Sequence, residues 1–413
     1  MLSFLELCQA QPTGSGLPQR IGFVFKKEQQ TRFRLKFKQY NNLIILPLKI
    51  NQSDTLNFVL DTGVGYTLIT DPQLVKKQKL PLYREIRITG SNGQEDLIAY
   101  ISSAERIVLG DIIAEKQGIL VLKEEVSGLS EYAGLPIHGL IGYDLMSRFI
   151  VQLNYQTQEL IFFASHKYKY PKLEKSRYQL LKLDIRNLKP HIEATIELEN
   201  GCTLPVSLLV DTGAGHSLAL ERDNEPRISL PKKTIHLPLG MSLTGRIEGE
   251  VGRIKRLQIA QFYFQEVITF FPDSAQTAQM RNKTLAQRNG SIGCNLLSRF
   301  LIVFDYPRQQ LLLKPNSNYK LPFEYNLSGM EIIAEKPDYH RYAIAYVYPN
   351  SAAQQAGLKA GDKIIAIDKQ LAQNLKISEI YNLLNKKAGK KVVLIVQRNE
   401  LLLLFELRLK API

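Results

Sequence analysis

At 413 residues the chain is long enough for two to four domains, each with its own core. Its 45% hydrophobic and 22% charged residues exclude an intrinsically disordered chain and fit a folded, globular one. The formal net charge of +14 is compatible with polyanion binding, yet no nucleic-acid-binding module is legible, so no nucleic-acid partner is expected.

The chain begins MLSFLELCQAQP, a short apolar segment with a small residue near Cys8. It reads as the tail of a secretory signal peptide that lacks the basic start, or alternatively as a disordered leader, so residues 1–24 are expected to be a leader. Export to the periplasm or cell envelope follows as the expectation, with the cytoplasm as the alternative. No later segment has some 18 uninterrupted apolar residues, so no membrane span is expected. Cys8, Cys202 and Cys294 show neither metal nor disulfide spacing, and the six histidines do not cluster. Free thiols, no metal and no cofactor are therefore expected.

TRFRLKFK (31–38) alternates basic and apolar residues, as a strand with one solvated basic face does. NNLIILPLKI (41–50) and REIRITGSNGQEDLIAYI (84–101) continue the strand-and-hairpin pattern. Between them lies FVLDTGVGYTLIT (58–70), an apolar strand broken by an aspartate, which is costly to bury unless it is hydrogen-bonded or changes its pKa. An isolated Asp-Thr-Gly is most simply a turn.

The same stretch returns as LLVDTGAGHSLAL (208–220), and GLIGYDLMSRFIVQLNYQTQELIFF (139–163) returns as GSIGCNLLSRFLIVFDYPRQQLLLK (290–314). Asp61 and Asp211 are 150 positions apart and Gly142 and Gly293 are 151 apart. Turn chemistry does not reproduce two blocks at one spacing; an internal duplication does, with copies over about 25–165 and 178–315. Each copy carries one short helix after its glycine, YDLMSRF or CNLLSRF, and HKYKYPKLEKSRY (166–178) reads as the linker.

Two copies packed about a pseudo-twofold axis would bring Asp61 and Asp211 together, where they would share a proton. One carboxylate could then activate a water while the other donates to a substrate carbonyl. Gly63 and Gly213 permit a tight turn at each carboxylate, and Thr62 and Thr212 supply hydroxyls able to lock the loops. Taken together, these residues resemble retropepsin-like aspartic peptidases, in which an Asp-Thr-Gly loop is followed by an apolar-apolar-Gly segment ahead of a short helix. Here those segments are Leu140-Ile141-Gly142 and Ser291-Ile292-Gly293. The resemblance covers roughly residues 40–315 and implies two acid-protease β lobes fused as in pepsin-type enzymes, monomeric for catalysis, with each glycine segment threading beneath its Asp loop. Departures from the family pattern are Val64, His216 and Ser291, and Val64 makes the first loop the one expected to fit poorly. The implied flaps are hairpins at TGSNGQ (89–94), with Gly90 and Gly93, and GMSLTGRIEG (240–249), with Gly240 and Gly245.

After residue 320 the pattern changes. NSAAQQAGLKAGDKIIAIDKQ (350–370) resembles a bacterial-type PDZ domain through Gly357, Leu358, Gly361, Asp362, Ile364, Ile365 and Ile367. The resemblance implies capture of a C-terminal peptide, with a carboxylate loop at Ser328, Gly329, Met330, Glu331 and Ile332, and Glu331 would be a poor neighbour for that carboxylate. The facing helix is expected at ISEIYNLLNKK (377–387), its apolar stripe serving either the groove or the core; packing against the lobes is the alternative to peptide capture. The expected architecture is thus mainly β, with lobes at 25–168 and 169–320 and a small α+β PDZ domain at 321–413. The expected function is aspartic endopeptidase with peptide or protein substrates; the alternative is a catalytically silent peptide-binding scaffold on the same fold.

Overall fold

The computed structural model describes residues 22–40, 43–89, 96–125, 128–172, 177–243, 245–273 and 288–412. The fold is mainly β, as the alternating and β-branched runs dictate. In the first lobe the strands Leu43–Ile50 and Leu56–Leu60 pair antiparallel and are largely buried on both faces. The short strand Gly139–Ile141 then inserts beside Leu56–Leu60 in parallel, Ile141 opposite Leu60, and antiparallel to Leu68–Ile69. The second lobe repeats this arrangement. Gly290–Ile292 runs parallel to Thr203–Val210, Ile292 opposite Val210, and antiparallel to Leu218–Leu220.

A separate six-stranded sheet joins the lobes, in the order Gln179–Lys182, Gln310–Pro315, Phe300–Asp305, Ile150–Asn154, Glu159–Phe163 and Arg32–Lys36. The two central strands, one from each half, meet antiparallel with Leu153 opposite Ile302. Ile150, Val151, Leu153, Ile302, Val303 and Phe304 are all 0% exposed. Separating the lobes would expose these six at about 2 kcal/mol each, on the order of 10 kcal/mol in all, so the lobes form one body. The basic strand behaves as its alternation predicts: Arg32, Arg34 and Lys36 face solvent, and Glu159 pairs with Arg34 and Lys36 at 3.2 and 3.3 Å.

Two boundaries differ from the sequence reading. Gly22–Val24 were expected in the leader, yet Phe23 is buried and Val24 pairs with Ile113; the rest of that leader, Cys8 included, lies outside the described residues. Residues 321–326 were expected to open the PDZ domain. Instead Phe323 joins the core of the lobes, held by the buried Arg299, whose guanidinium lies 3.7 Å from its ring centroid. Arg299 also donates to the carbonyls of Asn318, Leu321 and Pro322, so this residue of the repeated Ser-Arg-Phe clamps the exit from the second lobe.

The PDZ sheet runs Met330–Glu335, Arg341–Val347, Lys363–Ile367, Lys391–Arg398 and Leu401–Arg408, with Gln370–Leu371 beside the third strand. Of the stripe Ile377, Ile380, Tyr381 and Leu384 on the helix Ile377–Leu384, Ile377, Ile380 and Leu384 are buried in the domain's own core, while Tyr381 is partly buried and lines the cavity. Asp362 accepts the Lys359 N–H at 2.9 Å and a bidentate pair from Arg398 at 2.6 Å each, which satisfies a buried carboxylate. The domain docks on the first lobe. The helix Leu129–Ala133 packs against the edge strand Met330–Glu335, and Lys336 reaches Glu125 at 2.7 Å and Glu131 at 3.5 Å.

Candidate active site

Each aspartate follows a strand whose last residue is held by the inserted glycine segment. The Asp61 N–H donates to the Ile141 carbonyl and the Asp211 N–H to the Ile292 carbonyl, both at 2.9 Å. The turn after each aspartate folds its glycine N–H back onto the carboxylate, Gly63 to Asp61 Oδ1 at 2.7 Å and Gly213 to Asp211 Oδ1 at 2.8 Å. These turns approach each other so closely that no side chain fits at either glycine. A Cβ at position 63 would lie 2.9 Å from Asp61 Oδ1 and 3.5 Å from Asp211 Oδ2, and one at 213 would collide with the Asp61 carboxyl.

The threonines lock the loops reciprocally. The Thr62 N–H donates to Thr212 Oγ1 at 3.1 Å and the Thr212 N–H to Thr62 Oγ1 at 3.0 Å. Their hydroxyls cross over in turn, Thr62 Oγ1 donating to the Val210 carbonyl at 2.5 Å and Thr212 Oγ1 to the Leu60 carbonyl at 2.8 Å. Both threonines are fully buried. Four bonds between segments 150 positions apart therefore set the spacing of the two carboxyls.

Burial pushes Asp61 from an ordinary 3.8 up to about 7, and the Asp211 carboxyl beside it adds to the rise. The Gly63 N–H and the ammonium of Lys189 oppose it. The pair can thus hold one proton near neutral pH, which equips it to give and take protons in turn. Lys189 was not singled out in the sequence. By strand register His191 faces Leu209 as Ile45 faces Val59, so Lys189 and His191 stand where the first lobe has Leu43 and Ile45. The break in the apolar run at LKPHIEATI was the available signal. Burial lowers Lys189 and brings His191 down to about 4.

The two polar departures explain each other. His216 Nε2 and Ser291 Oγ lie 2.9 Å apart, so the serine in the inserted segment partners the histidine of the second Asp loop. Burial lowers the pKa of His216, which keeps the ring neutral in this contact. Val64 causes no misfit. Its carbonyl accepts the Tyr143 N–H at 3.0 Å as the Ala214 carbonyl accepts the Cys294 N–H at 2.7 Å. Gly142 and Gly293 are pressed against the carbonyls of Val64 and Ala214, which leaves no room for a Cβ. Cys294 is free and buried, its thiol donating to the Thr212 carbonyl at 3.1 Å; burial raises it to about 12, so it is no nucleophile.

The hairpin Thr234–Ser242/Gly245–Ile259 borders the cavity that both aspartates line and carries Gly240 at φ 143° and Gly245 at φ 119°, both facing open space. Gly90 and Gly93 of the other candidate flap lie outside the described residues. A single cavity of about 2240 Å³ is lined by Asp61 and Asp211, by Leu239 and Met241 of the hairpin, and by Glu331 and Tyr381 of the PDZ domain. Of the five residues read as a carboxylate loop, only Ser328 and Gly329 form a turn, while Met330, Glu331 and Ile332 already belong to the edge strand because they pair with Arg341–Val347. Ser328 and Met330 are fully buried. Among the described residues no group of three or more His, Cys, Asp or Glu side chains could hold a metal ion, and no helix is long and apolar enough to cross a membrane.

Comparison with curated proteins finds no match. Among solved structures, the chain is similar to the crystal structure of aspartic proteinase from Irpex lacteus, at 12% identity and a TM-score of 0.45, over 70% of this chain and 99% of that one. The PDZ domain family profile matches residues 344–398. The aspartyl protease family profile matches residues 46–145, a stretch that holds Asp61, Thr62, Gly63 and Gly142. The chain therefore contains an aspartyl protease domain at 46–145 and a PDZ domain at 344–398.

Proposed function

We propose that the protein is an aspartic endopeptidase in which Asp61 and Asp211 form one dyad across two retropepsin-like lobes. The observation that carries this reading is the convergence of both carboxyls on the space beside Gly63, held there by reciprocal threonine bonds. The ionised carboxylate takes a proton from water, and the resulting hydroxide attacks the peptide carbonyl carbon as the protonated partner donates to the carbonyl oxygen. The tetrahedral gem-diol then collapses: a carboxylate recovers a proton from one hydroxyl, the C–N bond breaks, and the leaving nitrogen takes the proton held by the dyad. Asp61 near 7 and the low-dielectric strands behind it suit this exchange. The substrate would lie extended between the dyad and the bordering hairpin, with the PDZ domain docking or regulating it.

The test is cleavage of a peptide library between about pH 4 and 7 by wild type, Asp61→Asn and Asp211→Asn. Cleavage by wild type alone supports the dyad. Equal cleavage by all three overturns it, and no cleavage by any favours a binding scaffold.

A further inference from the structure

The cavity over the dyad does not end at the lobes; it continues along the PDZ edge strand, past Glu331 and Ile332, to Tyr381 and Asn385. On that strand and the turn before it, several backbone donors are already engaged. The Leu327 N–H donates to Asn385 Oδ1 at 2.7 Å, and the Gly329 N–H donates to Asn326 at 3.0 Å. The Ile332 N–H donates to the Tyr381 hydroxyl at 2.9 Å, which donates back to the Ile332 carbonyl at 3.2 Å. Three backbone donors of the turn and strand thus already have partners within the chain, and the side chain presented to the cavity is an acid.

That acid is Glu331. It is half-buried, and the Tyr348 hydroxyl donates to its Oε1 at 3.3 Å. Tyr325 and Tyr348 stack on each other, and Tyr132 of the first lobe and Tyr381 of the PDZ helix line the same cavity as Glu331. Among the described residues Glu331 makes no ion pair within 4.0 Å. The facing cation is Arg246 of the bordering hairpin, exposed and placed 5.7 Å over the Tyr346 ring. A carboxyl set among aromatic rings at a cavity wall can pair with a mobile cation once it is ionised.

We propose that the substrate cleft extends onto the PDZ domain, where Glu331 with Tyr132, Tyr325, Tyr348 and Tyr381 forms a subsite for a lysine or arginine side chain of the bound peptide. The domain thereby reads an internal basic residue of the substrate rather than a C-terminal carboxylate. An ammonium or guanidinium pairs with the carboxylate and lies against ring faces, two contacts that strengthen together away from bulk water. Burial raises Glu331 to about 7, opposed by Arg246 and the Tyr348 hydroxyl, so the preference for a cation strengthens as pH rises through that range.

The consequence for cleavage rests on the peptidase reading; the consequence for binding does not. Full-length Asp61→Asn protein, which should not consume its ligand, is titrated with labelled dodecapeptides in which one lysine is scanned against norleucine and acetyl-lysine. Lysine at one register is expected to bind about tenfold more tightly than either replacement. Adding Glu331→Gln should abolish that difference, and Arg246→Gln, at an exposed position, should enlarge it. Amidating the peptide's C terminus should change nothing. Loss of affinity on amidation, or a lysine preference that survives Glu331→Gln, overturns the subsite. If the lysine preference holds while wild type cleaves no peptide, the subsite stands and the peptidase reading falls. Cleavage indifferent to the lysine register sinks the subsite alone.

Discussion

Replacing Asp61 by asparagine should stabilise the protein at neutral and alkaline pH, and the size of the effect follows from the dyad. The folded chain holds Asp61 at about 7 against an ordinary 3.8 when unfolded. Between those values the folded state binds more protons than the unfolded one, so stability falls as pH rises and is lowest above 7. At roughly 1.4 kcal/mol per pH unit the whole rise corresponds to about 4 kcal/mol. The carboxyls face an open cleft, which discounts the figure toward about 2 kcal/mol. Asparagine has no proton to lose, and its Oδ1 can still accept the Gly63 N–H. Thermal unfolding of wild type and Asp61→Asn should give similar midpoints at pH 4. At pH 8 the variant should lead by about 2–4 kcal/mol, roughly 5–15 °C for a unit of this size. Asp211→Asn removes the neighbouring carboxyl that adds to the rise of Asp61, so it should shrink part of the pH-dependent loss. A difference that does not vary with pH, or one that turns against the variant as pH rises, would refute the shared-proton account.

Thr62→Val keeps the side-chain shape but leaves the Val210 carbonyl and the Thr212 N–H buried without partners, so its denaturation midpoint should report a loss of about 2–4 kcal/mol, with Thr62→Ser costing less. Gly213→Ala should lower kcat by at least about a hundredfold, since its methyl runs into the Asp61 carboxyl, while destabilising by only about 1–3 kcal/mol. Lys189→Met removes a cation that favours ionised Asp61, so the acid limb of the pH–rate profile should move to higher pH. Asp144→Asn should cost less than about 1 kcal/mol, because Asn295 in the second half accepts from Ser217 at 2.8 Å where Asp144 accepts from Thr67; chemical denaturation distinguishes this from Asp144→Leu, which should cost about 2 kcal/mol or more.

Much of the site was legible because its geometry is local. An apolar strand, an aspartate, and a glycine two residues later encode a turn that folds an N–H onto its own carboxylate, and that turn occurs at both Asp61 and Asp211. The glycine of each inserted segment was legible for the same reason, since only a residue without a Cβ fits against the loop carbonyls. The PDZ domain announced itself through turn residues and alternating aliphatics at fixed short spacings. Charges placed by strand register were harder to see. Nothing in LKPHIEATI says that Lys189 faces the dyad until strand pairing aligns it with Leu43.

The sequence by itself determined the β class, the two aspartate loops and the C-terminal domain, because each depends on residues within a few positions of one another. Only the tertiary structure decided what meets across long separations: the His216–Ser291 pair, the Arg299 clamp on the exit segment, and Glu331 facing the cavity that holds the dyad. Those contacts depend on how strands cross between lobes and on which face of the PDZ domain docks. Local spacing carries no record of either.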